Sequence, residues 1–185
     1  MKFQYRLTGA GWAQCELEIN LKKYSFGAGY LTDALGDFLK TLLNINPLYT
    51  EEVYIENGAQ FFWDEEPRGT EWHFRYLGDD KMSLEITEYE DISSSFEPKI
   101  MLQTECSYTE FLIQVMSEAA RILNEYGIVG YKEMWYEHEF PLSSFLKLKY
   151  YIKNNSKFPL ENRKAGHTEI YKSDLETELN NLIKK

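Results

Sequence analysis

Apolar and polar positions alternate from the start of the chain: Phe3, Tyr5 and Leu7 stand against Lys2, Gln4 and Arg6, and after TGAG a second set follows, Ala13, Cys15, Leu17, Ile19 and Leu21. A period of two with one apolar face predicts a β-hairpin. The stretch KYSFGAGY continues as a third strand, with Tyr24, Phe26, Ala28 and Tyr30 on one side and Gly27 and Gly29 leaving room for close packing. The period then changes: Leu31, Ala34, Leu35, Phe38, Leu39, Leu42 and Leu43 recur at helical spacing, with Thr32 as N-cap and Pro47 beyond the end.

From residue 53 to 106 the alternation of two returns in VYI, AQFFW, EWHFRYL, KMSLEIT and KIMLQTEC, separated by ENG, DEEPRG, LGDD and a Ser-rich bend. This reads as an antiparallel meander. A helix opens on the capping box of Ser107 and Glu110, buries Phe111, Leu112, Val115, Met116, Ala119, Ile122 and Leu123, and closes at Gly127. Another starts near Pro141 and runs through LSSFLKLKYYIK. NNSKFPLENRKAGHT reads as a loop, and Ser173 with Glu176 caps a tail helix presenting Leu175, Leu179, Leu182 and Ile183. The fold class is α+β: a mostly antiparallel sheet of about six or seven strands, two main helices at 31–45 and 107–126 packed on one face, and a helical C-terminal extension. Residues 1–153 form one domain, and 154–185 a loop with a short amphipathic tail helix.

The stretch FFWDEEPRGTEWHF sets three carboxylates and a proline between aromatic clusters. If 65–70 form the connection, Trp63 stands opposite Trp72, Phe61 opposite Phe74 and Ala59 opposite Tyr76, with Phe62 against His73 and Gln60 against Arg75 on the other face. Glu66, Pro67, Arg68 and Gly69 then suit a type I turn. This register opposes Asp64 to Glu71, an unfavourable like-charge pair, so the tip opens there or holds something cationic.

Charge narrows the partners. The chain has 185 residues and a formal net charge of −10, which argues against nucleic-acid binding. Residues 1–146 carry −14 and residues 147–185 carry +4, so body and tail differ in sign. No apolar run approaches the roughly 18 residues of a membrane span and no signal-peptide core is present, so a cytoplasmic protein without membrane contact is expected. Cys15 and Cys106 read as isolated, reduced and apolar rather than as a disulfide or metal pair.

No spacing of His, Cys or carboxylates supplies a metal site, and no cofactor or catalytic motif occurs, so catalytic, cofactor-binding and metal residues are all expected to be none. Asp64, Glu65 and Glu66 on an exposed turn lack the cleft that splits carboxylate pKa values. His138 lies between Glu137 and Glu139, and Asp33 and Asp37 read as a solvated helix face without a pairing Lys.

The segments GWAQCELEI, YLTDALGDFLKTLL, WDEEP followed by a Trp, and GYKEMWYEHEFP resemble, in order and spacing, a family of small uncharacterised bacterial proteins. The resemblance covers about residues 11–145 and implies that Trp63, Asp64, Glu65, Glu66, Pro67, Trp72, Asp33 and Asp37 occupy recurring positions. Thr32 stands where the pattern has Ser, and Glu139 where it has Pro. By class, such proteins are similar to immunity proteins of toxin systems. The expectation is a non-enzymatic binding protein for a basic protein partner, using Trp63, Asp64, Glu65, Glu66, Trp72, Asp33 and Asp37. The alternatives are a hydrolase or other enzyme combining residues 64–66 with His73 or His138, and a structural protein that forms a homo-oligomer through the tail helix.

Overall fold

The computed structural model describes residues 1–93, 97–136, 138–166 and 168–183, with Ala165 as backbone alone. The middle of the Ser-rich bend, Glu137, His167 and the last two lysines lie outside them. The protein is α+β. Strands β1 (Lys2–Gly9), β2 (Trp12–Ile19) and β3 (Lys22–Gly29) form one antiparallel meander. After helices α1 (Ala34–Asn44) and α2 (Glu52–Ile55), strands β4 (Ala59–Glu65), β5 (Arg68–Gly78), β6 (Lys81–Tyr89) and β7 (Lys99–Ser107) form a second. Then come α3 (Tyr108–Trp135), α4 (Leu142–Asn154), a hairpin of β8 (Glu161–Ala165) and β9 (Thr168–Lys172), and α5 (Leu175–Ile183).

The apolar sets read from the sequence make one core, except that Leu21, Tyr30 and Leu31 are exposed. Phe3, Tyr5, Cys15, Leu17 and Phe26 from the first sheet meet Phe61, Trp63, Trp72, Phe74, Leu84 and Ile86 from the second. Phe38 of α1 stands at the centre, its ring within 5.2 to 6.1 Å of Phe3, Phe61, Trp63, Trp72, Phe74 and Phe111. Burying side chains of this size stabilises by about 1.5–3 kcal/mol each. Helices α1 and α3 cover this core, α1 against β4 and α3 against β1.

Several local expectations are corrected. Asp33, not Thr32, caps α1, its carboxylate accepting from Gly36 N–H at 3.3 Å. VYI lies in the short α2 rather than in a strand. The helix opening at Ser107 does break at Gly127, at φ 68° and ψ 179°, but a second helical stretch not expected from the sequence runs on from there to Trp135. The supposed loop after α4 contains the hairpin β8–β9. Asp174, not Ser173, caps α5, accepting from Thr177 N–H at 2.8 Å.

The register of β4–β5 also differs. Its connection is only Glu66-Pro67, with that peptide cis, so Phe61 pairs with Trp72, Trp63 with Thr70, Asp64 with Gly69 and Glu65 with Arg68. Phe62 pairs with Glu71 and Gln60 with His73. A two-residue slip keeps every side chain on its predicted face, because the side-chain period is two. Trp63 and Trp72 therefore remain on one face, ring centroids 5.2 Å apart, but as diagonal neighbours. The like-charge opposition of Asp64 and Glu71 does not exist.

Candidate functional site

The acidic tip is largely occupied by its own fold. Gly27 of β3 has no Cβ, and the Glu65 side chain lies in that space, where a Cβ would come within 2.1 Å of its Oε1. Glu65 also pairs with Arg68 at 3.1 Å. The Asp64 carboxylate accepts from Glu66 N–H at 2.9 Å, and its carbonyl passes close to Gly29. The two glycines singled out in the sequence thus admit the tip of β4 against β3. Glu66 is exposed, and with Asp64, Pro67, Asp91, Ile92 and Ser93 it borders a hollow of about 510 Å³. Trp63 and Trp72 are fully buried, and Trp63 Nε1–H donates to the Ala34 carbonyl at 3.0 Å, so neither ring is offered as an anchor beside the tip.

Above the tip, the outer face of β4–β7 carries Phe62, Glu71, His73, Arg75, Glu85, Gln103 and Glu105. Phe62 covers Gly69 and meets Tyr89 edge-on at 5.8 Å, while the Tyr89 hydroxyl donates to Glu71 at 2.9 Å. The Gln103 amide donates to Glu85 at 3.0 Å. Among the described residues Glu71, Glu85 and Glu105 enter no ion pair. The outer face of β1–β3 is different: Arg6 pairs with Glu16 at 3.7 Å and Lys23 with Glu18 at 3.1 Å. His73 pairs with Gln60, four strand positions from Asp64 and hence about 13 Å away along the strand.

A second constellation forms where α1 begins. His138 Nε2 lies 2.9 Å from the Tyr30 carbonyl and so donates to it. Burial raises the Asp33 carboxyl above the usual range, opposed by His138 and reinforced by Asp37. Burial likewise raises Asp37, opposed by Lys40 and His138. The two aspartates are therefore half-buried with Lys40 and His138 nearby, not a bare solvated face. The hydroxyls of Tyr5 and Tyr131 are buried without a partner among the described residues, and Asp33 acts on both electrostatically. The structure brings His138 to the start of α1, through the Tyr30 carbonyl and the charge of Asp33. The sequence carried no spacing that could reveal this, because the partners lie more than a hundred residues apart.

Among the described residues no group of three or more His, Cys, Asp and Glu is placed to hold a metal ion, and no helix is long and apolar enough to cross a membrane. A groove of about 790 Å³ lies between α3, α4 and α5, bordered by Met116, Ala120, Leu123, Phe145, Ile152 and Leu182. No family model, curated protein or solved structure matches the chain.

Proposed function

We propose that the protein is a non-enzymatic binding protein that receives a basic protein on the outer face of β4–β7 and the hollow at its tip. The observation that supports this reading is the contrast between the two outer faces: one has its carboxylates paired with Arg6 and Lys23, while the other presents Glu71, Glu85 and Glu105 without ion pairs. Carboxylates held apart on a rigid sheet raise the local concentration of a cationic partner and orient it. An immunity-type inhibitor of a basic toxin is the narrower form, resting on analogy of class alone.

The test begins with a partner captured from the host. Its association rate is measured across salt for wild type, for Glu71→Lys/Glu85→Lys/Glu105→Lys, and for Glu16→Lys/Glu18→Lys. Steered association slows steeply as the Debye length falls from about 10 Å at 0.1 M to about 3 Å at 1 M. The first triple variant should lose the salt dependence and at least tenfold in rate, and the second variant should not. Equal rates for all three proteins would refute the face.

A second reading follows from Asp33 and His138. A carboxyl raised by burial beside an imidazole is an arrangement that acid–base enzymes use. This form of the enzyme alternative rests on Asp33 and His138 rather than on residues 64–66. Turnover of a hydrolase substrate panel that is abolished by both Asp33→Asn and His138→Gln would favour it over binding.

A further inference from the structure

Polar groups from β1, α3 and the start of α1 converge inside the core. The Tyr5 ring on β1 stands between two indoles, its centroid 5.7 Å from Trp63 and 6.4 Å from Trp135. Trp63 Nε1–H donates to the Ala34 carbonyl at 3.0 Å and Trp135 Nε1–H to the Thr32 carbonyl at 3.2 Å. The indoles that flank Tyr5 therefore hold the backbone on either side of Asp33. Tyr131 precedes Trp135 by four residues on α3, hence by one turn on the same face, and packs edge-on to Phe140 at 5.4 Å. The charge of Asp33 acts on both tyrosines, and Tyr131 acts on Tyr5.

Both hydroxyls are fully buried, and neither finds a partner among the described residues. A buried hydroxyl left unpaired is destabilising, and native interiors pair nearly all such groups with protein or with ordered water. The chemistry of the three groups selects what lies between them. Each phenol carries a proton that needs an acceptor, which a cation does not offer, and the Asp33 carboxylate repels an anion. A neutral molecule that donates and accepts at once satisfies all three. Trp63, Trp135 and Phe140, all buried, wall the tyrosines, so that molecule is small.

We infer that the start of α1 carries an internal water site, in which one bound water bridges the hydroxyls of Tyr5 and Tyr131 to the carboxylate of Asp33. The two lone pairs of the water accept from the two phenols and one of its protons goes to Asp33, about three hydrogen bonds, as internal waters usually make. Asp33 then has two donors, Gly36 N–H of its own helix at 3.3 Å and the water from the core. Tyr5 and Tyr131 are thereby positioning residues for Asp33, and β1, α1 and α3 are joined at one polar node. The site holds whether Asp33 and His138 serve binding or chemistry, and it does not depend on the acidic face of β4–β7.

Magnetic relaxation dispersion of the full chain, which counts long-lived internal waters, tests it. Tyr5→Phe/Tyr131→Phe should hold one fewer than wild type. In urea unfolding each single variant should lower the folding constant about threefold or more, because a satisfied hydroxyl is removed. The double variant should lose less than the product of the two, since one water serves both. The titration of Asp33, followed by the NMR shift of its carboxyl carbon, should move to higher pH in the double variant, because a donor to the charged form is lost. His138, Asp37 and Gly36 N–H, which also act on that carboxyl, are unchanged by the substitutions. An equal water count, phenylalanine variants more stable than wild type, or an unmoved Asp33 titration would each overturn the proposal. So would stabilisation by ammonium chloride beyond that of equal sodium chloride that disappears in the double variant, since it would put a cation in the site.

Discussion

The hairpins β4–β5 and β8–β9 both turn on two residues, between Glu65 and Arg68 in one and between Ala165 and Thr168 in the other. Only the first has an apolar face that meets something. Phe61, Trp63, Trp72 and Phe74 reach α1 and the first sheet, whereas the described side chains of β8 and β9 are exposed and join no core. Backbone pairing is equal in kind, so the difference in stability must come from burial, the main favourable term in folding. Turn length fixes register, and burial decides whether the hairpin persists.

The largest test of this contrast is truncation of an aromatic ring in each hairpin. Trp63→Ala or Trp72→Ala should cost about 3–5 kcal/mol in urea unfolding, since each empties a fully buried site. A loss below about 1 kcal/mol for either ring would mean that the core does not rest on β4–β5.

Next in size is the close approach of that hairpin to β3. Gly27→Ala should cost about 1–3 kcal/mol, because the new Cβ occupies the place of the Glu65 carboxylate. Glu65→Ala should relieve most of that cost, so the double variant should be more stable than the sum of the single losses predicts. Strict additivity in this double-mutant cycle would show that Glu65 does not lie on Gly27 in solution.

At the other end of α1, Asp33 separates capping from charge. Asn caps as well as Asp, whereas Ala loses about 1 kcal/mol. The Asp33 carboxyl is raised above 3.8 by burial, so the folded state binds its proton more tightly than the unfolded state does. Its contribution is fully present below the unfolded value and is lost as pH rises through the folded value. Unfolding of Asp33→Asn against wild type from about pH 3 to pH 7 should therefore show the variant gaining relative stability as pH rises. A difference independent of pH would remove burial as the dominant influence on that carboxyl.

The elements of the body were legible because their periods are clean: Phe61, Trp63, Trp72 and Phe74 fall on one face whichever even register is chosen. The register itself was not, because it depends on whether two or six residues connect the strands. Thr32 and Asp33 are both good caps, and composition cannot choose between neighbours. β8–β9 escaped notice because Asn162, Arg163, Lys164 and Glu169 offer no apolar alternation to detect. The meeting of His138 with Asp33 is a tertiary fact, and the acidic face of β4–β7 emerges only when Glu71, Glu85 and Glu105 are placed by register.

The smallest expected effect lies on β9. Tyr171→Ala should change the monomer's unfolding free energy by no more than about 0.5 kcal/mol, because the ring contacts solvent and its hydroxyl donates only to Glu169 on the same strand. Hydrogen exchange extends the point to the backbone. Amides of β4 and β5 should open only with global unfolding, while those of β8 and β9 in dilute protein should open at little cost. Protection of β8–β9 equal to that of β4–β5 in dilute protein would show that backbone pairing by itself stabilises this hairpin, and the contrast between the two would fail.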